Sequence, residues 1–305
     1  MKKLLGTTLI LIAFAQATHA QGCSDAGFCS IANLRHAAAE AASAPKQKLS
    51  VQLTNGVGDG GVYVFTPAIQ YDNQLNKQWA IQAKLTANYA NGDLGSVSGL
   101  GDLYISAAYA PTSFGTWKTS FALGAKLPLN NSNQQASGKA YPLQYQSSLG
   151  TVDLIAGFSI ANNRWQLATG WQQPLTTRNQ NTFLPANWSD AAANEFAPTN
   201  RFKRKGDVLL RVGYAIVPTG KFTLGAGLLG IYHLGKDSYA NAANTELHLQ
   251  GSDGLTLNGT ILASYKASKR LSIGLSGGVP FVVRDIRPDG LTRKFSISPE
   301  LIFHF

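Results

Sequence analysis

The stretch Trp79-Ala80-Ile81-Gln82-Ala83-Lys84-Leu85-Thr86-Ala87-Asn88-Tyr89 decides how this chain is read. A strand throws successive side chains to opposite faces. Trp79, Ile81, Ala83, Leu85, Ala87 and Tyr89 therefore share one face, with Gln82, Lys84, Thr86 and Asn88 between them. Phe222, Leu224, Ala226, Leu228, Gly230 and Tyr232 repeat the pattern, as do Leu271, Ile273, Leu275, Gly277 and Val279. The last run carries Phe295, Ile297, Pro299, Leu301 and Phe303 and closes on Phe305. Strands of about 9–11 residues with aromatic ends suit a bilayer-spanning barrel. A soluble sandwich would show shorter strands and a more charged outer face. The pattern predicts an all-β fold, a closed antiparallel transmembrane β-barrel.

Composition agrees. Of 305 residues only 14% are charged, against about 25% in soluble domains. The 31 glycines suit a curved sheet whose lumen must not be overfilled. Lys2 and Lys3, the apolar run Leu9 to Ala15 and Thr18-His19-Ala20 predict a signal peptide over 1–20. Ala20-Gln21-Gly22 before Cys23 is a poor lipobox. The net charge of +10 has no helical basic stripe behind it, which argues against nucleic acid and for anionic lipopolysaccharide as the counter-charge.

Short turns at 72–76, 111–115, 161–163, 218–220 and 266–269 alternate with long connections at 91–100, 130–148, 175–205 and 235–254 and a medium one near 284–290. Barrels of this kind have short periplasmic turns and long external loops. The termini then lie in the periplasm, and the count is about twelve strands, with fourteen the alternative. Strands leaving the short turns start alike, with Trp79, Trp117, Trp165 and Phe222 after basic or polar residues. These predict a periplasmic aromatic girdle. Returning strands share Gly101-Asp102-Leu103, Val152-Asp153-Leu154 and Gly206-Asp207-Val208, a hairpin repeat that puts each aspartate at the external mouth, facing inward.

Residues 21–47 break the strand pattern, and 48–305 carry the barrel. Cys23 and Cys29 precede Ser30, a helix N-cap for a segment through about Ala42. In an oxidising compartment the two cysteines are expected to form a disulfide. A metal site of Cys23, Cys29 and His36 is the alternative. The segment is expected to act as a plug at the periplasmic mouth, or to remain a periplasmic tail.

Ser98-Gly99-Leu100-Gly101-Asp102-Leu103, Ala108-Tyr109, Leu123-Gly124-Ala125-Lys126-Leu127-Pro128 and Ser148-Leu149-Gly150-Thr151-Val152-Asp153-Leu154 form one recurring set. It resembles the meta-pathway phenol-degradation outer-membrane barrels, distantly akin to the long-chain fatty-acid transporters. The resemblance covers residues 60–175. It implies an outer-membrane channel or transporter for small, hydrophobic or aromatic molecules. The chain departs from that family in its cysteine-bearing N-terminal segment and its long loop over 175–205.

For an enzyme, the best candidate pair is His248 and Ser252, four apart in a turn-rich segment. A polar loop is the expected reading, and no catalytic residue or cofactor is assigned. His233 and His304 are expected at the rims. Lumen or constriction candidates are Lys84, Asp102, Lys118, Lys126, Asp153, Asp207, Arg211 and Glu300. They are expected mainly as ion pairs bracing the wall, with selection of permeants by field and size as the functional reading. Arg201, Lys203, Arg204 and Lys205 are the lipopolysaccharide-contact candidates. Phe303-His304-Phe305 resembles an outer-membrane assembly signal, which makes the barrel assembly machinery an expected partner through Phe305. A structural barrel that binds lipid or a partner through its loops is the alternative function, and an outer-membrane hydrolase the less favoured one.

Overall fold

The computed structural model describes residues 46–305 apart from 112, 114, 178, 219, 291 and 292. The expected signal peptide, N-terminal helix, Cys23–Cys29 pairing and Cys/His metal alternative lie outside the described residues.

The strands are β1 (Gln47–Gly58), β2 (Tyr63–Gln74), β3 (Trp79–Gly92), β4 (Gly95–Tyr109) and β5 (Lys118–Pro128). A small hairpin of β6 (Gln135–Ala136) and β7 (Lys139–Ala140) follows, then β8 (Thr151–Ala161), β9 (Trp165–Thr177), β10 (Asp207–Val217) and β11 (Phe222–His233). A second small hairpin, β12 (Ser238–Ala240) and β13 (Glu246–His248), precedes β14 (Gly254–Lys266), β15 (Leu271–Val282) and β16 (Arg293–His304). Leaving out the two small hairpins, twelve strands close a barrel, each antiparallel to its chain neighbours, with β1 sealed to β16. Lys48 pairs with His304 at one end of that seam and Gly58 with Arg293 at the other. No backbone edge is left open, as a bilayer demands.

The alternation predicted for β3 holds. Trp79, Ile81, Leu85 and Tyr89 stay exposed, whereas Ala80, Gln82, Lys84 and Thr86 are buried in the interior. Ile69, Ile105, Leu123, Leu210, Ile261 and Leu275 extend the outer belt around the barrel. So much outward apolar surface is stable only where lipid is the solvent. The predicted girdle residues Trp79, Trp117, Trp165 and Phe222 all point outward at the periplasmic end. Trp79 packs on Tyr109 at 4.9 Å and Trp165 on Tyr214 at 4.8 Å.

The alike strand starts have a common turn chemistry. The Asn76 side-chain oxygen accepts from the amides of Gln78 and Trp79, both at 2.9 Å. Asn162 does the same for Arg164 and Trp165, and the Ser268 hydroxyl for Arg270 and Leu271. A short polar side chain folding onto its own backbone fixes a tight turn, so each strand starts at a set offset from it.

The expected long connection over 91–100 is corrected. β3 runs to Gly92 and β4 restarts at Gly95, which pair across the two-residue turn Asp93-Leu94. Gly95 has φ +125°, a conformation that the tight turn requires and that glycine alone adopts freely. Small residues on both faces above the lipid hid these strand ends in the sequence. The other three long connections and the medium one are present, and they are ordered against one another. Tyr141, Tyr145, Phe183 and Phe196 are buried together with Val62, Val64, Leu94 and Val97 from the raised hairpins β1–β2 and β3–β4. Leu143, Leu149, Phe202 and Leu249 form a second core joining the segments 129–150, 179–206 and 234–253. The external mouth therefore carries a lid whose hydrophobic core is shared with the raised strand ends.

Candidate functional site

The candidate site is the lumen and the seam between it and the lid. The predicted mouth aspartates are all inward and buried, and each has a separate tether. Asp102 accepts from the Ser148 hydroxyl at 2.5 Å, which ties the lid segment 129–150 to β4. Asp153 pairs with Lys126 directly across the ladder at 3.0 Å, and takes Gln172 Nε2 at 2.5 Å. Lys126 also donates to Thr151 Oγ1 at 2.9 Å. Asp207 receives Arg204 at 2.5 Å and His233 Nδ1 at 2.7 Å.

From Asp207 the network runs on through the lid. The second ring nitrogen of His233 meets Asp237 Oδ1 at 2.9 Å. Arg204 reaches Asp289 at 3.2 Å, Arg284 reaches the same carboxylate at 2.9 Å, and Arg284 also donates to the Ser252 carbonyl at 2.6 Å. Arg287 pairs with Asp59 of the β1–β2 turn at 2.7 Å. Three lid segments, 179–206, 234–253 and 283–290, are thus latched to each other and to the top of β10. Burial by itself would raise the Asp289 carboxyl, but Arg284 and Arg204 outweigh it and hold it well below the usual carboxylate range. Gly290, at φ +64°, lets this corner approach the backbone of Gln144, where an added Cβ would come within 2.7 Å of its Cα.

Two expectations change here. Arg204, expected to contact lipopolysaccharide, is buried inside the latch, while Arg201, Lys203 and Lys205 stay exposed. His233, expected as a rim residue, is 1% exposed and clamped between two carboxylates. The signal for the latch was the density of charge at Arg284, Asp285, Arg287 and Asp289 in a chain that is otherwise poor in charge.

Lower in the lumen, Lys84 is buried and donates to Gln52 at 3.1 Å, and Asp72 receives Gln70 at 2.9 Å and Gln82 at 2.7 Å. Glu300 lies on the same wall, opposite Gln52 and Gly274. Lys118 shares the face of Lys126 on β5 and stands exposed at the periplasmic end of that strand. Across the lumen Arg211 projects from β10, below Leu209. Under the lid a cavity of about 50 Å³ is lined by Thr66, Asn88, Asp102, Tyr104, Gln144 and Asp289, among others. That volume admits a few waters, well short of the ~300 Å³ and upward of a ligand pocket.

The hydrolase candidate does not assemble. Ser252 is fully buried, donating to the Leu249 carbonyl at 2.7 Å and accepting from the Asp237 amide at 2.9 Å, while His248 is exposed on β13. The hydroxyl serves as a turn clamp.

A closed barrel with a lipid-facing belt and an aromatic girdle defines the class: this is an outer-membrane β-barrel. No family model and no curated protein matches the chain. Among solved structures, it is similar to the COG4313 outer membrane channel from Pseudomonas putida F1, with 13% identity and a TM-score of 0.59 over 87% of this chain and 97% of that one. The NanC porin (9% identity, TM-score 0.47, 84% and 98% covered) and the KdgM porin (7%, 0.43, 85% and 99%) align at lower similarity.

Proposed function

We propose that the protein is an outer-membrane channel for small molecules, with the latched lid as its external gate. The observation that carries this reading is the inner wall. It is polar, lined with Lys84, Asp72, Gln82, Gln52, Arg211 and Glu300, and inward glycines at 157, 170, 213, 225 and 227 leave it room for a permeant. The likeness to the meta-pathway phenol-degradation barrels in 60–175 supports hydrophobic or aromatic permeants. The hydrolase pair has no support, because the Ser252 hydroxyl is committed to internal contacts and His248 stands exposed on β13. The segment that precedes β1 acts as a periplasmic plug, a reading supported by its attachment to a strand that starts at the periplasmic end. Arg201, Lys203 and Lys205 meet lipopolysaccharide phosphate, and Phe305 engages the assembly machinery. Osmotic swelling of proteoliposomes tests the channel: solute-dependent swelling is expected, and an impermeable barrel would refute it.

A further inference from the structure

One buried arginine in the lumen lacks a counter-charge. Arg211 is 6% exposed, its Nε has no hydrogen-bond partner, and no carboxylate among the described residues pairs with it. The other two buried arginines, Arg204 and Arg284, both hold Asp289. A buried cation left alone is strongly disfavoured, so its retention asks for an anion.

The surroundings indicate which anion. Ala168 and Leu229 stand directly beside Arg211 on β9 and β11, and Leu209 is the next inward residue above it. All three are at most 1% exposed. Toward the periplasm Gly213 pairs with Gly227, so the wall there carries no side chain. One strand further, Thr256 and Thr260 face inward on β14, opposite Ile231 and Gly227, and both Oγ1 atoms are buried without partners. β10 and β14 are two ladder spacings apart, about 10 Å, which an arginine and a small ligand can bridge.

We infer that this patch is a binding site for an organic anion with a single carboxylate and a compact apolar body. The guanidinium fork of Arg211 takes the carboxylate in two parallel hydrogen bonds. Thr256 and Thr260 flank the Arg211 level about 7 Å to either side along β14, so one of their hydroxyls supplies a further donor, and the apolar body lies against Leu209, Leu229 and Ala168. A bare inorganic anion would leave those apolar neighbours without a role. The inference rests on the channel reading and names its permeant class.

Equilibrium dialysis of labelled benzoate against the detergent-purified full-length chain tests it, with hexanoate, benzyl alcohol and chloride as competitors. Hexanoate should compete, and benzyl alcohol and equimolar chloride should not. Arg211→Gln should weaken benzoate binding by about tenfold or more, with Arg211→Lys in between. Heat-modifiable gel migration reports whether each variant folds. If Arg211→Gln does not assemble, Thr256→Val with Thr260→Val is the substitute, with about threefold to tenfold weaker binding expected. Absence of binding to the wild type, unchanged affinity in a folded variant, or equal displacement by benzyl alcohol or chloride would overturn the site. Benzoate binding that depends on Arg211 without benzoate uptake into proteoliposomes would instead refute the channel and leave the site standing.

Discussion

In the barrel wall, Ile69, Ile105, Leu210 and Ile261 stay outward and are stable there because lipid is their solvent. In the lid, Tyr145, Phe183 and Phe202 are at most 1% exposed because water is the solvent above the membrane. The wall is held by neighbours in a ladder, and its order is repetitive and local. The lid is held by contacts between distant segments, with Arg204 to Asp289 and Arg287 to Asp59 as its charged fastenings. One molecule thus has two parts held by different kinds of contact, joined where the lid packs on the raised hairpins and on Asp207. The wall should survive damage to the lid.

The sharpest way to break this comparison is Arg204→Gln. It leaves Asp207 and Asp289 short of a buried partner, at a cost of about 3–5 kcal/mol to the lid. External protease added to proteoliposomes should then cleave within the lid segments, while the barrel keeps its heat-modifiable migration. Loss of the folded barrel in this variant would show that wall and lid are one cooperative unit. Phe183→Ala attacks the apolar half of the same lid. Its ring is 1% exposed and packs against Phe196, so about 3 kcal/mol of lid stability should go, with the same cleavage readout.

These two parts were unequally legible. The β3 pattern at Trp79 to Tyr89 gave the strands, the facing and the girdle, because a period of two is a local property of the chain. The inward aspartates at 102, 153 and 207 were also readable, since they repeat at one place in each hairpin. The latch was not, because its partners lie far apart in sequence and follow no period. His233 read as a rim residue for that reason; only the fold sets Asp207 and Asp237 on its two nitrogens. The strand ends above the lipid were missed because water replaces lipid on their outer side and small residues interrupt the alternation there.

Acid provides an intermediate test. The two arginines hold the Asp289 carboxyl below its unfolded-state value of 3.8, so its contribution is fully present above that pH. It is lost as the pH falls below about 3.8 toward the lower folded value. Protease protection of the lid should therefore persist through mildly acidic pH and fail only in stronger acid, with Asp289→Asn variants unprotected throughout. The smallest effect belongs to Lys203→Ala. The Lys203–Glu246 contact is solvent-exposed, so its loss should leave lid protection nearly unchanged.

The most direct measurement compares single-channel conductance of the wild type and Arg204→Gln in planar bilayers. If the lumen is a pathway and the lid its gate, the wild type shows brief, small openings and the variant a larger, sustained conductance. Equal conductance in the two proteins, with lid cleavage proving the variant's lid open, would contradict the account.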